Sequence, residues 1–263
     1  MRFVLAAAFT ALAVPALAAP CGNDSGGFNA WKRAFAAEAS AAGVGPAGLQ
    51  ALANAQYSTS TIRADRNQTG VRYELNEFIR IRLGSLDSFA NQMRREQNKN
   101  PQFYANLERA YGVPAGILLA IHGMETGFGR TMGNTPVVDS ITTVAYDCRR
   151  SAFFTPHAIA ALMLVDQGGL APNQRGAAHG EMGHTQFLPG NALRYGVDAD
   201  GNGRVDLYGL ADSLASTANF LRQKGWRPGE GFQEGSANFR VLNEWNAATV
   251  YQQAIALSAA RLQ

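Results

Sequence analysis

Ile117-Leu118-Leu119-Ala120-Ile121-His122-Gly123-Met124-Glu125-Thr126-Gly127-Phe128-Gly129 is the most informative stretch of the chain. A helix sets Leu118, Ile121 and Glu125 on one face, at i, i+3 and i+7, and that face is apolar. Gly127 and Gly129 then end the helix. Glu125 therefore closes a buried stripe, where two effects of the same sign act on it. Desolvation disfavours its charged form, and so does the negative end of the helix dipole. Both raise its pKa, toward a carboxylic acid that keeps its proton near neutral pH. A general acid that protonates a glycosidic oxygen needs that property. Position alone serves a second reading equally well, in which Glu125 is the structural partner of a buried arginine.

Outward from this stretch the chain reads as mainly α. Tyr111-Gly112-Val113-Pro114 closes one helical segment, and Pro114 opens the helix of Glu125. Helical patterns cover 28–52 with a break at 43–46, then 73–83, 85–110 with a break at Asn100-Pro101, 158–166, 212–224 and 245–262. Residues 57–70 are polar and read as a loop, and 167–190 as a glycine-rich loop that approaches something closely. Around 193–212 the character changes to short extended pieces about an Asp- and Gly-rich turn, which predicts a small β element carrying an EF-hand-like loop. The 263 residues are 46% hydrophobic and 16% charged, which fits one folded domain and excludes a disordered or fibrous chain. The 23 basic and 20 acidic residues leave +3 without basic clustering, so no nucleic-acid partner is expected. The only long apolar run is N-terminal, so no internal membrane span is expected either.

That N-terminal run has the form of an export signal. Met1-Arg2, an apolar core and Ala16-Leu17-Ala18 follow the n-region, h-region and A-x-A pattern, which predicts a signal peptide over 1–18, cleavage before Ala19 and a periplasmic location. The core is short and Pro15 breaks it, against a retained anchor; Pro20 before Cys21 argues against a lipoprotein. In an oxidising compartment Cys21 and Cys148 are an even pair, so a disulfide joining them is the default expectation.

Several polar constellations remain. Asp198-Ala199-Asp200-Gly201-Asn202-Gly203-Arg204 matches the first half of an EF-hand loop: oxygen ligands at positions 1, 3 and 5, Gly at 6 and the Arg204 carbonyl at 7. Position 12 is Gly209 instead of Glu, so the standard pattern fails there, and an Asx-Gly turn without metal is the alternative. Asp206 is a weaker ligand candidate. His179, Glu181 and His184 superficially suggest zinc, but the histidines stand five apart in a glycine-rich loop where a helical His-Glu-x-x-His needs four. His122 reads as a core histidine. Among possible second acids, Asp139 reads as a helix cap and Asp147 as a partner of Arg149 or Arg150. Glu181 is the best second carboxylate if the chain is a hydrolase.

Five segments occur in order: Tyr111-Gly112-Val113-Pro114, Gly123-Met124-Glu125-Thr126-Gly127-Phe128-Gly129, Asp147-Cys148-Arg149-Arg150, Gly183-His184-Thr185-Gln186-Phe187-Leu188-Pro189 and Tyr195-Gly196-Val197-Asp198. Together they resemble the B-type lytic murein transglycosylases, glycoside hydrolase family 103, from about Phe28 to the C-terminus. The resemblance implies a lysozyme-like α body, 19–263 as the catalytic domain, and cleavage of the MurNAc–GlcNAc bond of peptidoglycan leaving a 1,6-anhydro end. Glu125 matches the family's single catalytic acid. Ordinary glycosidases need two carboxylates, but the resemblance implies a reaction in which the sugar's own 6-hydroxyl attacks the anomeric carbon, and proximity within the substrate replaces the second side chain. Glu125 then acts as acid and afterwards as base.

The resemblance also implies a substrate cleft that includes Arg149 and Arg150, whose fork-shaped donors suit carboxylates. It adds Gln186, Trp245, Asn246 and Tyr251 as sugar contacts and Asp212 as the last calcium ligand. Calcium would be structural, with no cofactor needed for catalysis. Glycan strands are the expected partner of a monomer, with cell-wall proteins as further partners. Four positions depart from the pattern: Ala177 stands for a cleft serine, Gly190-Asn191 for a Ser-Ser pair, and Phe220 for a tyrosine. The rival readings are a water-using muramidase and a non-catalytic peptidoglycan-binding scaffold.

Overall fold

A computed structural model describes residues 19–68 and 73–262; the 1–18 export signal lies outside the described residues. Seven helices come first: α1 (Phe28–Ala41), α2 (Pro46–Asn54), α3 (Thr59–Asn67), α4 (Leu75–Leu83), α5 (Leu86–Lys99), α6 (Pro101–Tyr111) and α7 (Ala115–Thr126). Strand β1 (Thr135–Pro136), α8 (Val137–Tyr146), α9 (Ser151–Asp166) and strand β2 (Arg175–Gly176) follow. The chain ends on α10 (Pro189–Tyr195), α11 (Leu210–Gln223), α12 (Ala237–Trp245) and α13 (Thr249–Ala260).

The organising element is α7. Ile117, Leu118, Leu119, Ala120 and Ile121 are all 0% exposed, so the helix is apolar on every side and can sit only at the centre. Each large side chain there contributes about 1.5–3 kcal/mol by leaving water. Helices α5, α6, α11 and α13 surround it. Helix α13 comes closest at Gly116, where a Cβ would stand 2.9 Å from the Ala259 carbonyl oxygen. The helix stops at Gly127, in left-handed conformation at φ 59°, whose N–H returns to the Gly123 carbonyl. A second cluster forms where α9 packs on α2, α8 and α10.

The mainly α expectation stands, with corrections. The polar stretch read as a loop holds α3, which Ser58 caps by accepting the Thr61 N–H. Its buried positions are Thr61 and Asp65, so no apolar stripe announces it. The helix that Asp139 was expected to cap is α8, but it starts at Val137, so Asp139 lies inside its first turn and accepts the Gln56 N–H instead of capping. Helix α9 begins at Ser151, with Pro156 inside it, where proline forgoes one helical hydrogen bond. The 245–262 helix is α13, which starts only at Thr249; α12, which the sequence reading did not anticipate, ends at Trp245, and a short link through Asn246 joins the two.

The β element is elsewhere than expected. Strands β1 and β2 pair antiparallel, Thr135 with Gly176 and Pro136 with Arg175, which ties the glycine-rich loop to the segment after α7. Within 193–212 there is no strand among the described residues. Aspartate side chains there accept the backbone N–H groups of Gly201, Asn202 and Gly203, so the backbone is satisfied locally and builds no ladder.

Cys21 and Cys148 form the expected disulfide. It lies beside a parallel bridge, in which the Gly22 N–H donates to Tyr146 O (3.0 Å) and the Cys148 N–H to Gly22 O (3.1 Å). The two cysteines stand 127 positions apart in sequence, so the bond removes a large loop from the unfolded ensemble. Replacing both cysteines by serine is expected to lower the unfolding free energy by roughly 2–5 kcal/mol. Urea midpoints of the oxidised protein and the double variant measure this, and equal midpoints would remove the bond from the stability account.

Candidate active site

Glu125 stands in the last turn of α7, at a cavity of about 310 Å³ that it lines with Ala177, Glu181, Gln186, Phe187, Phe220 and Trp245. One oxygen of its carboxyl is fully engaged. Oε1 accepts the Tyr251 hydroxyl at 2.7 Å and the Trp245 indole N–H at 3.1 Å. Oε2 is the oxygen left to carry a proton toward the cavity. Burial raises the Glu125 pKa and the Glu181 charge adds to the rise, while the bonds from Tyr251 and Trp245 and the charge of Arg82 oppose it; the net direction is up. Burial and the neighbouring Glu125 push the Tyr251 hydroxyl well above its ordinary value, so it remains a donor.

No arginine pairs with Glu125 among the described residues. Arg82 donates instead to the Met124 carbonyl at 3.1 Å. This decides the alternative that position alone left open: the carboxyl is satisfied by two neutral donors, not by a salt bridge.

Aromatic packing sets the Trp245 ring. Phe187 and Phe220 meet it edge to face at 5.3 and 5.4 Å, and Phe78 does the same to Tyr251 at 5.9 Å. Trp245 ends α12 and Asn246 caps it, which brings both to the cavity. Tyr251 is a correction: it is 5% exposed and lines neither part of the cleft, so it meets the carboxylate and not a sugar.

The glycine-rich loop is stapled to α7. Thr126 Oγ1 donates to His184 O at 2.7 Å, and His122 Nε2 lies 2.9 Å from His184 Nδ1. Burial, with the neighbouring His184 and Lys99, brings the His122 pKa down to about 3, so the pair is neutral near pH 7. His179 faces Glu181 and not His184, so the three residues of the zinc-like pattern do not converge. Gly183, at φ 71°, is required because a Cβ would stand 2.1 Å from the Leu207 carbonyl oxygen. Gln186 takes φ 56°, a conformation uncommon for a non-glycine residue. Its amide nitrogen donates to Gly183 O at 2.8 Å, which leaves its amide oxygen for a ligand.

A second cavity of about 400 Å³ continues the first, sharing Glu181, Leu188, Trp245 and Asn246 and adding Gln68, Arg150, Phe153 and His179. Arg150 donates to Asp65, and its guanidinium lies 4.8 Å from the centre of the Phe154 ring. Arg149 lines neither cavity, because Asp65 takes its Nε at 2.5 Å and its Nη2 through the backbone carbonyl at 2.7 Å. Asp147 is also corrected: its side-chain partner is the Arg66 guanidinium, at 2.6 and 3.1 Å, and from Arg149 it takes only the backbone N–H. Burial works against the Asp65 charge, but the hydrogen bonds and charges of Arg149 and Arg150 hold its pKa at about 2. Sequence reading missed Asp65, since an aspartate in a polar stretch carries no signal of its own.

Away from the cleft, oxygen atoms of Asp198, Asp200 and Asp212 lie within 4.8 Å of one another. Asp212, buried in the first turn of α11, accepts the N–H groups of Ala199 and Asp206, both at 2.8 Å, and so folds the loop over itself. Asn202 is turned to Asp200, donating to its Oδ2 at 2.9 Å, and its own Oδ1 accepts the Arg204 N–H. The all-oxygen donor set fits a hard cation such as calcium.

Comparisons with known proteins agree with this layout. One relative, the membrane-bound lytic murein transglycosylase B of Escherichia coli K12, is 34% identical over 134 residues, which cover 49% of this chain and 37% of that protein. The match thus spans little more than a third of that relative's length. The crystal structure of SltB3 from Pseudomonas aeruginosa in complex with NAG-anhNAM-pentapeptide superposes with a TM-score of 0.80 at 26% identity, covering 88% of this chain and 78% of that one. The Escherichia coli lytic transglycosylase Slt35, solved in complex with calcium, matches at a TM-score of 0.76 and 21% identity over 93% of this chain and 97% of its own; at that identity the likeness is one of fold. The body is therefore the expected lysozyme-like one. The profile of the transglycosylase SLT domain matches residues 27–236, and the chain belongs to that family, in keeping with its B-type motifs.

Proposed function

We propose that the chain is a lytic murein transglycosylase, which cleaves the MurNAc–GlcNAc β-1,4 bond of peptidoglycan and leaves a 1,6-anhydro-MurNAc end. The observation that carries this reading is the Glu125 carboxyl: its pKa raised by burial, tethered through Oε1 and lining a cleft in a domain of this family. The step begins when Glu125 gives its proton to the glycosidic oxygen and the C1–O bond breaks. The 6-hydroxyl of the same MurNAc attacks C1, and its proton passes to the Glu125 carboxylate, which resets the acid. Trp245, Asn246 and Gln186 hold the sugars, and Arg150 meets lactyl or peptide carboxylates. Arg149 acts behind it, sharing the Asp65 anchor. The complex of SltB3 with an anhydro-sugar peptide supports this product class.

The reading places the mature chain in the periplasm. Among the described residues no helix is long and apolar enough to cross a membrane. In the Asp-rich loop, Asp198, Asp200 and Asp212 would hold a structural calcium ion, with the Asn202 side chain and the Arg204 carbonyl as further oxygens. The ion would supply the positive charge that three converging carboxylates lack.

Glu125→Gln is expected to slow cleavage of purified sacculi by at least about 10²-fold while leaving wall binding intact; cutting at the wild-type rate would overturn the assignment. Wild-type digests should give muropeptides one water lighter than reducing-end products by mass spectrometry, and reducing ends would make the chain a muramidase. Tyr251→Phe removes a donor that favours the carboxylate, so the Glu125 pKa rises further and the alkaline limb of the pH–rate profile moves to higher pH. A limb that stays or moves down would mean that the Tyr251 hydroxyl does not hold Glu125 in the working enzyme. EDTA should lower Tm, and added calcium should restore it; an unchanged Tm would remove the ion.

A further inference from the structure

The cleft holds a second carboxylate whose surroundings run opposite to those of Glu125. Glu181 lines both cavities, sharing the first with Glu125 and the second with Arg150. Its backbone is fixed on both sides. The Ala177 N–H donates to its carbonyl at 2.9 Å, and the Met182–Phe187 bridge follows directly. Gly176 runs so close that a Cβ there would stand 2.2 Å from the Glu181 carbonyl oxygen. Glu181 is thus presented by a built turn and not by a loose loop tip.

Its charge lacks a full counter-ion. Oε2 accepts the His179 backbone N–H at 3.1 Å, and Oε1 lies 3.6 Å from His179 Nδ1; no arginine or lysine pairs with it among the described residues. The other acids nearby are compensated. Glu244 pairs with Lys224 at 2.7 Å, and Asp65 with Arg149 and Arg150. Burial disfavours the Glu181 charge, but the His179 contacts outweigh it and its pKa falls below the ordinary value. The cleft therefore presents two carboxyls whose surroundings push in opposite directions, Glu125 toward the acid and Glu181 toward the carboxylate, a division of labour that suits glycosidic cleavage. A half-buried anion held by one imidazole and one backbone N–H, with no lysine or arginine, still costs free energy, and that cost is offset where a positive charge forms within its reach.

We propose that Glu181 is a second catalytic carboxylate, a fixed anion that stabilises the positive charge developing on the anomeric carbon as Glu125 gives its proton to the leaving oxygen. This rests on the glycan-cleaving reading above. No bond to Glu181 forms and no proton moves to it. The proton leaves Glu125 for the leaving oxygen, the 6-hydroxyl oxygen bonds to C1, its proton returns to Glu125, and Glu181 remains a carboxylate throughout.

The test compares wild type, Glu181→Gln and Glu181→Asp on purified peptidoglycan, reading kcat, KM, wall binding, Tm and the pH–rate profile. Glutamine can still accept the His179 N–H, so the turn survives, and Tm checks that it does. The charged and titratable groups that share the cavities with Glu181 are Glu125 from α7, Glu244 of α12 with its partner Lys224, His179 on its own loop, Arg150 before α9 and, through His179, Asp65 of α3. The expected result for Glu181→Gln is a fall of about 10²-fold in both kcat and kcat/KM with KM and wall binding unchanged. The acid limb, set by Glu181 protonation, should disappear, and the alkaline limb should move to lower pH because a charge that holds the Glu125 proton is gone. Glu181→Asp should recover part of kcat. A Glu181→Gln enzyme within about threefold of wild type at its optimum, with its acid limb intact, overturns the proposal, even if the alkaline limb moves; Glu181 would then act only through Glu125. Wild-type protein that leaves peptidoglycan uncut overturns the functional reading and this proposal together.

Discussion

The two hydrogen bonds on Glu125 Oε1 are the constraint on which the rest of the molecule depends. A carboxyl cannot be drawn into a helical core without donors, and both donors come from the far end of the chain. Trp245 stands 120 residues away and Tyr251 126. The last two helices must therefore return to the first buried one. Gly116 permits this by letting α13 approach α7 at Ala259, and Phe78, Phe187 and Phe220 fix the two aromatic rings that carry the donors. Core and site are consequently the same object here. The packing that buries α7 is the packing that aims its terminal acid.

Charge in the cleft is sorted along its length. The groups that hold Glu125 are apolar or neutral, with the His122–His184 pair kept uncharged behind the helix, and the charge it meets across the cavity is that of Glu181. Farther along, Asp65 gathers Arg149 and Arg150, with Arg66 and Asp147 beside them. Such a cluster contributes modest stability, because the arginine side chains are 30–40% exposed and water screens them. Its larger effect is geometric. Asp65 fixes where the guanidinium of Arg150 can point, and so where an acidic ligand group could be met.

What was legible in the sequence followed from local rules. The helix of Glu125 could be read because apolar residues recur at helical spacing and glycines stop it. The family resemblance put Gln186, Trp245 and Asn246 at one cleft, and all three line the same cavity although they lie on separate elements. What was not legible depended on partners distant in sequence. Helix α3 shows no stripe because its buried residues are Thr61 and Asp65, which face Ser140 and the two arginines. Tyr251 matched a cleft residue, yet no local pattern says that its hydroxyl points inward to a carboxyl. The small sheet escaped notice because each strand has two residues, too few for any alternation to show.

The competition over the Glu125 proton shows why neutral donors serve this site better than a cation. Tyr251, Trp245 and Arg82 all favour the carboxylate, yet burial wins. A guanidinium on Oε2 would tip the balance, since a hydrogen-bonded opposite charge lowers a carboxyl pKa by about 1–3 units. Asp65, held at about 2 by two arginines, shows that outcome in this same molecule. Arg82 is the cation available to do this at Glu125, and it is occupied by the Met124 carbonyl. Two neutral donors on one oxygen orient the group nearly as well as a salt bridge and leave the other oxygen its proton. An acid that must give up that proton within a buried cleft can be held only by such donors.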